Sequence, residues 1–80
     1  MNMLLLSKKW VPRLLSQGET GMDYQIASIL LKDGKKFDQA VIIDGCIAKI
    51  RYIDVIPFKE EDIKDIVVTH DKWDWSKEEW

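Results

Sequence analysis

Two Asp-Gly pairs, Asp33-Gly34 and Asp44-Gly45, interrupt an apolar and β-branched run that extends over residues 24–52. Tight hairpin turns need positive φ angles, which glycine adopts at no steric cost and aspartate tolerates better than most residues. The pairs therefore mark two chain reversals and predict a three-stranded antiparallel meander. The strands are predicted near residues 23–32, 36–43 and 46–53.

The predicted strands differ in how their side chains alternate. Residues 24–31 are apolar at both alternating positions towards their end, which predicts a strand that is covered on both sides and is central or barrel-forming. In the third strand, strict alternation places Lys49 and Arg51 on one face and Ala48 and Ile50 on the other. We therefore expect a basic surface on this strand.

The flanking segments complete a mainly β fold of the α+β class. The β-branched run at residues 66–70 predicts a fourth strand. A short helical turn is expected near residues 59–65, because its acidic side chains fall in the first turn, where the helix dipole favours them. The apolar N-terminal segment is expected to be an arm or a short helix around Pro12. These elements predict a small antiparallel sheet or half-barrel.

The length of 80 residues predicts a single domain. We divide it into an N-terminal arm or helix over residues 1–20, a β core over residues 22–70 and a charged tail over residues 71–80. The only cysteine, Cys46, cannot form an internal disulfide, and the first residues lack the pattern of a signal peptide. We therefore expect a cytoplasmic protein, with no membrane association.

Two segments resemble a group of short uncharacterised bacterial proteins: LKDGKKFDQ at residues 31–39 and VTHDKW at residues 68–73. The resemblance extends over most of residues 21–75, and it implies no activity. The turn KDGKKF at residues 32–37 is also weakly similar to the first hairpin of Sm-like and other small β-barrels. Because the asparagine-bearing second Sm signature does not follow Asp44, this similarity does not imply RNA binding.

His70 and Asp71 are the most reactive-looking pair, because an imidazole titrates near neutrality and a carboxylate can orient it or share a metal ion. Adjacent residues of a strand point to opposite faces, however, and no second histidine or cysteine pair completes a zinc site. We therefore expect His70 to be structural, and no metal or cofactor to be bound. A minor hydrolase or metal site at this pair is the enzymatic alternative.

Aromatic and basic residues supply the candidate binding groups. Tryptophans stack on sugars, bases or partner side chains when they are exposed, and Trp73 and Trp75 share a face if the tail is extended. The alternative is that Trp10 and one of this pair close the ends of a small core. A basic cluster around the first hairpin and on the third strand fits phosphate or an acidic partner. The alternative is a solvated strand face that prevents edge pairing. The basic candidates are Lys35, Lys36, Lys49 and Arg51.

Fourteen acidic residues outnumber twelve basic ones, which disfavours general nucleic-acid binding. We therefore expect a binding module without catalysis, whose partner is another protein or a second copy of the chain. A small domain leaves a thin stability margin, and the apolar residues at positions 4–6 exceed what a four-stranded sheet needs. A homodimer is therefore predicted, and the alternative is a monomeric barrel that the arm completes by folding back over its own sheet. A small barrel that binds nucleic acid is the other alternative.

Overall fold

A five-stranded antiparallel sheet forms the protein in the computed structural model, which describes residues 3–75. Its strand order is β1-β4-β3-β2-β5. The strands are β1 (Leu4–Leu5), β2 (Gln25–Leu31), β3 (Lys36–Ile43), β4 (Cys46–Ile50) and β5 (Ile63–Val68). The mainly β fold and the meander predicted from the two Asp-Gly turns are confirmed, and β2 lies inside the sheet between β3 and β5.

The helical segments are short. One 3-10 turn, Lys8–Trp10, leads into helix α1, Val11–Leu15, and Pro12 lies in its first turn, where its missing N–H costs nothing. A second 3-10 turn, Glu60–Asp62, directly precedes β5. The fourth predicted strand therefore begins at Ile63, earlier than expected, because only one turn of helix forms before it.

The N-terminal arm contributes a strand that the sequence did not predict. Leu4 pairs with Ile47 and Leu5 with Cys46, so β1 lies antiparallel beside β4. The pairing continues at Leu6, whose amide donates to the Gly45 carbonyl oxygen at 2.8 Å. The arm thus extends the sheet at one edge instead of crossing its face.

Three register shifts bend the sheet into a half-barrel. One lies in β3, where Gln39 has a φ of 56°, and another lies in β4 at Ala48. A bulge adds a residue to one strand and increases its local twist. The strict alternation predicted for β4 is therefore wrong, since Ile47 and Ile50 both belong to the main core.

The main core lies between the inner face of the sheet and the segments that cross it. Leu6, Trp10 and Leu14 come from the N-terminal segment, and Phe58 comes from the connection between β4 and β5. The sheet residues in this cluster are Ala27, Ile29, Leu31, Ala40, Ile42, Ile47, Ile50, Ile63 and Ile66. The burial of Trp10 here agrees with its predicted role as a core residue.

Residues 71–75 of the predicted tail lie against the outer side of the sheet. The side chain of Gln39 donates to the Asp71 carbonyl oxygen at 3.2 Å. Neither Trp73 nor Trp75 packs against the main core, whereas Ile26 is fully buried outside that core. The last part of the predicted tail, residues 76–80, lies outside the described residues.

Candidate functional site

A groove of about 540 Å³ opens at the end of the sheet where β2 begins and β3 ends. We call it the α1 groove. Helix α1 forms one wall, residues 18–24 form the second, and the turn between β3 and β4 at Asp44 and Gly45 forms the third. Its volume falls in the range of cavities that bind small molecules or a few side chains of a partner.

The groove has an apolar lining that is partly exposed. Leu14 is buried beneath it, and Ile42 and Tyr24 contribute from the sheet end. Val11 and Leu15 are 45% and 75% exposed, although both are large apolar residues of α1. The 3-10 turn and helix α1 together therefore present one apolar pair, Trp10 and Leu14, to the core, while Val11 and Leu15 stay exposed at the groove.

Carboxylates surround this apolar surface. Glu19, Asp23 and Asp44 line the groove, and its lining contains no lysine or arginine. Glu19 accepts the Asp23 amide at 3.1 Å, which fixes its position on the loop. The salt bridges in the described part of the chain involve other acids: Asp33, Asp38 and Asp65. The groove therefore carries three negative charges without a cation to neutralise them.

Glutamine side chains hold the walls in place. The Gln25 amide donates to the carbonyl oxygens of Leu14 at 2.8 Å and Gly18 at 2.7 Å, which ties β2 to the end of α1. The Gln17 amide donates to the Ile66 carbonyl oxygen at 3.1 Å and accepts the Val68 amide at 2.8 Å. Because these bonds exist in the free protein, the groove is preorganised and binding would order little of the backbone.

Tyr24 is held between the groove and the C-terminal segment. Its ring meets Trp75 edge to face, with the ring centroids 5.1 Å apart. Gly21 leaves the space that the tyrosine ring fills, since a Cβ atom at Gly21 would collide with it. The predicted binding residue Trp75 therefore contacts Tyr24, which lines the groove, but does not line the groove itself.

His70 lies behind the loop that carries Glu19 and Asp23. Its Nδ1 is 2.8 Å from the hydroxyl oxygen of Thr20, which also accepts the Ile26 amide at 2.8 Å. Its own amide donates to the Ile26 carbonyl oxygen at 3.1 Å. His70 therefore contacts the loop through its ring and the start of β2 through its backbone amide.

Asp71 does not join His70 in a polar site with further ligands. Within residues 3–75 no group of three or more histidine, cysteine, aspartate or glutamate side chains is placed to hold a metal ion. Cys46, on β4, is separated from the His70 region by β3 and β2. The structural role of His70 stays a prediction, and its Thr20 contact supports it.

The four basic candidates fall into two pairs. Lys35 lies 4.0 Å from the Asp33 carboxylate and Lys36 lies 3.4 Å from that of Asp38, both at the turn between β2 and β3. Lys49 and Arg51 lie at the end of β4. The Arg51 backbone bonds to Gln39, so about 10 Å of strand β3 separates the two pairs.

Arg51 is the centre of a contact with two aromatic rings. Its guanidinium donates to the Gln39 side chain at 3.1 Å and lies 4.9 Å from the Tyr52 ring centroid and 5.6 Å from that of Trp73. These contacts stabilise the C-terminal segment on the sheet. They account for Trp73 as a packing residue, and its role in binding stays a prediction.

Three carboxylates outside the groove have lowered pKa values. The Ser28 hydroxyl, which donates at 2.6 Å, and then Lys36 lower the pKa of Asp38. The Ser7 amide lowers the pKa of Glu60, with a smaller contribution from Lys9. Hydrogen bonds from Arg13 lower the pKa of Asp65. These acids belong to structural contacts.

Sequence reasoning missed the residues that make the groove. The sequence predicts a loop at Glu19, a turn at Asp44 and the start of a strand at Asp23, and it places Val11 and Leu15 in the apolar arm or short helix without a binding role. The pairs Trp10 with Leu14 and Val11 with Leu15 have the same four-residue spacing, which gives neighbouring stripes on a helix. One core face cannot cover two such stripes on a short helix. This excess of apolar residues was the sequence signal that could have indicated an exposed apolar surface.

Comparison of the chain with protein-family models, with curated proteins and with solved structures gives no match. No helix within residues 3–75 has the length and apolar character needed to cross a membrane.

Proposed function

We propose that the protein is a binding module without catalysis, and that the α1 groove receives an apolar segment of a partner protein. The exposure of Leu15 and Val11 beside the preorganised groove carries this proposal. Large apolar side chains that converge on a concave surface lose water when a partner covers them, and this burial drives association. Arg13 and Gln17 hold the helix that presents them.

A peptide-display selection tests the proposal. Random peptides are selected on the wild-type protein, and the selected peptides are then measured against Leu15→Ser and Val11→Ser. We expect each substitution to weaken binding about tenfold, because each removes a large part of the apolar contact. Val55→Ser is the matched control, since Val55 is 64% exposed but does not line the groove. Equal binding by Leu15→Ser and Val55→Ser would contradict the proposal.

Self-association is a second candidate, favoured by the β1 edge of the sheet. Leu5 is 71% exposed there, and its strand has a neighbour on one side only within residues 3–75. An unpaired edge can pair with the same edge of a second copy about a twofold axis. Sedimentation equilibrium over a micromolar concentration range tests this proposal, and a 9.4 kDa species at every concentration would exclude the homodimer.

Nucleic-acid binding remains the alternative for Lys35, Lys36, Lys49 and Arg51. Its test is retention on a polyanion column, with elution by salt. We expect early elution, because Asp33 and Asp38 lie beside the two hairpin lysines.

A further inference from the structure

We infer that the segment bound by the α1 groove carries lysine or arginine side chains between apolar ones. This inference rests on the proposed function, and it adds the charge of the partner. The apolar lining selects no charge by itself. Glu19, Asp23 and Asp44 supply that selection, because all three face the same groove.

The distribution of ion pairs supports the inference. The first 52 residues contain five acidic side chains: Glu19, Asp23, Asp33, Asp38 and Asp44. Asp33 and Asp38 each have a lysine within 4.0 Å. Of these five acids, the three without a salt bridge within residues 3–75 are Glu19, Asp23 and Asp44, which all line the groove. This part of the chain has more basic than acidic residues, yet none of its cations lines the groove.

The opposite end of the sheet gives an internal comparison. A smaller cavity of about 280 Å³ lies there, and its lining contains Lys32 and Lys35 together with Asp33 and Asp62. Its charges are balanced, whereas those of the α1 groove are not. An anionic segment would be repelled from the groove, and a neutral segment would gain no attraction from the carboxylates. A cationic and apolar segment satisfies both the lining and the rim.

The backbone of the groove walls fixes the positions of the carboxylates relative to the apolar lining. Asp23 and Asp44 occupy left-handed backbone positions, with φ values of 66° and 49°. Gln25 fixes the end of α1, which forms another wall of the same groove. Because the turns hold these carboxylates at the edges of an apolar surface, a cation between two apolar side chains can meet them while its neighbours enter the groove.

Fluorescence anisotropy with defined peptides tests the inference. The probe is a labelled peptide of sequence LKLLKL, and its matched controls are LQLLQL and LELLEL. On the wild-type protein we expect the lysine peptide to bind about tenfold more tightly than the glutamine peptide, and the glutamate peptide to bind more weakly still. Added salt should reduce the difference, since exposed charges are screened.

Asp44→Asn is the main variant, because asparagine also adopts positive φ and preserves the turn. This substitution should lower the affinity for the lysine peptide about threefold to fivefold and leave the affinity for the glutamine peptide unchanged. Asp54→Asn removes the same charge from an exposed residue outside the groove and should change neither affinity. Glu19→Gln, which keeps an oxygen for the Asp23 amide, should act like Asp44→Asn.

The outcomes separate the inference from the proposed function. Equal affinity for the three peptides, combined with weaker binding by Leu15→Ser, overturns the inference and leaves the proposed function standing. Absence of binding for all three at millimolar concentration contradicts both. Free arginine that binds as tightly as the lysine peptide, or a dimer that is lost on Leu15→Ser, assigns the groove to another occupant and also overturns the inference.

Discussion

The two ends of the half-barrel are built differently. At the end next to the turn between β2 and β3, the rings of Phe37 and Phe58 lie 5.2 Å apart and cover the main core. The Lys32 amide donates to the Asp62 carbonyl oxygen at 2.9 Å, which fastens the returning chain there. At the other end, helix α1 covers only part of the sheet and leaves the α1 groove with about twice the cavity volume.

This difference between the two ends predicts that the residues of one end contribute to stability and those of the other to binding. The aromatic residues of the covered end belong to the core, so substitution there should destabilise the protein. The open end keeps Leu15 and Val11 exposed, so substitution there should leave folding intact and change the surface. Exposed apolar side chains that adjoin one another on a concave surface indicate a binding surface, whereas single exposed ones do not.

The largest expected effect is that of Phe58→Ala. Phe58 is buried against Phe37, so its truncation should lower the free energy of unfolding by about 3 kcal/mol through lost burial and a new cavity. The matched substitution at the open end, Leu15→Ala, should change it by less than about 0.5 kcal/mol. Urea denaturation measures both values, and similar losses would remove the distinction between the two ends.

A smaller loss of stability is expected when the hydrogen bonds that hold the wall of the open end are removed. In Gln17→Leu the Ile66 carbonyl and the Val68 amide lose their side-chain partner at the edge of β5. We expect a loss of about 1 to 2 kcal/mol. Hydrogen exchange should show faster exchange of the Val68 amide, while the Lys32 amide at the covered end keeps its protection. Unchanged exchange at Val68 would contradict the role assigned to Gln17.

Thr20→Val should cost about 1 kcal/mol, because the hydroxyl joins the loop to both Ile26 and His70. His70→Gln should cost less, since the Ile26 amide keeps its Thr20 acceptor. Thermal unfolding measures both changes. A stoichiometric metal ion in the purified protein that is lost on His70→Gln would show instead that the histidine is a ligand.

The smallest expected effect is on pH dependence. Asp38, Glu60 and Asp65 have pKa values below the ordinary values of 3.8 for aspartate and 4.5 for glutamate. Their contribution to stability is therefore present above those ordinary values and is lost as the pH falls through the lower pKa values of the folded state. Asp65→Asn should reduce the slope of stability against pH below about 4, relative to the wild-type protein. An unchanged slope for Asp65→Asn would contradict the importance of its Arg13 contact.

The sequence by itself determined the meander and its turns. Asp33-Gly34 and Asp44-Gly45 predicted both hairpins, because local φ requirements and β-branched runs act over a few residues. The short helix at Pro12 followed from similarly local signals. These parts of the fold depend little on distant contacts, and the strand β3 has the predicted bounds.

Only the tertiary structure decided where the distant segments meet. The pairing of Leu4 and Leu5 with β4 depends on an edge that exists after the sheet has formed, and the bulge at Ala48 reverses the face of later residues. The α1 groove brings together carboxylates from separate loops, and no spacing pattern in the sequence predicts that they meet. Local sequence encodes turn and strand preferences, whereas a groove is a consequence of how much of each face the rest of the chain can cover.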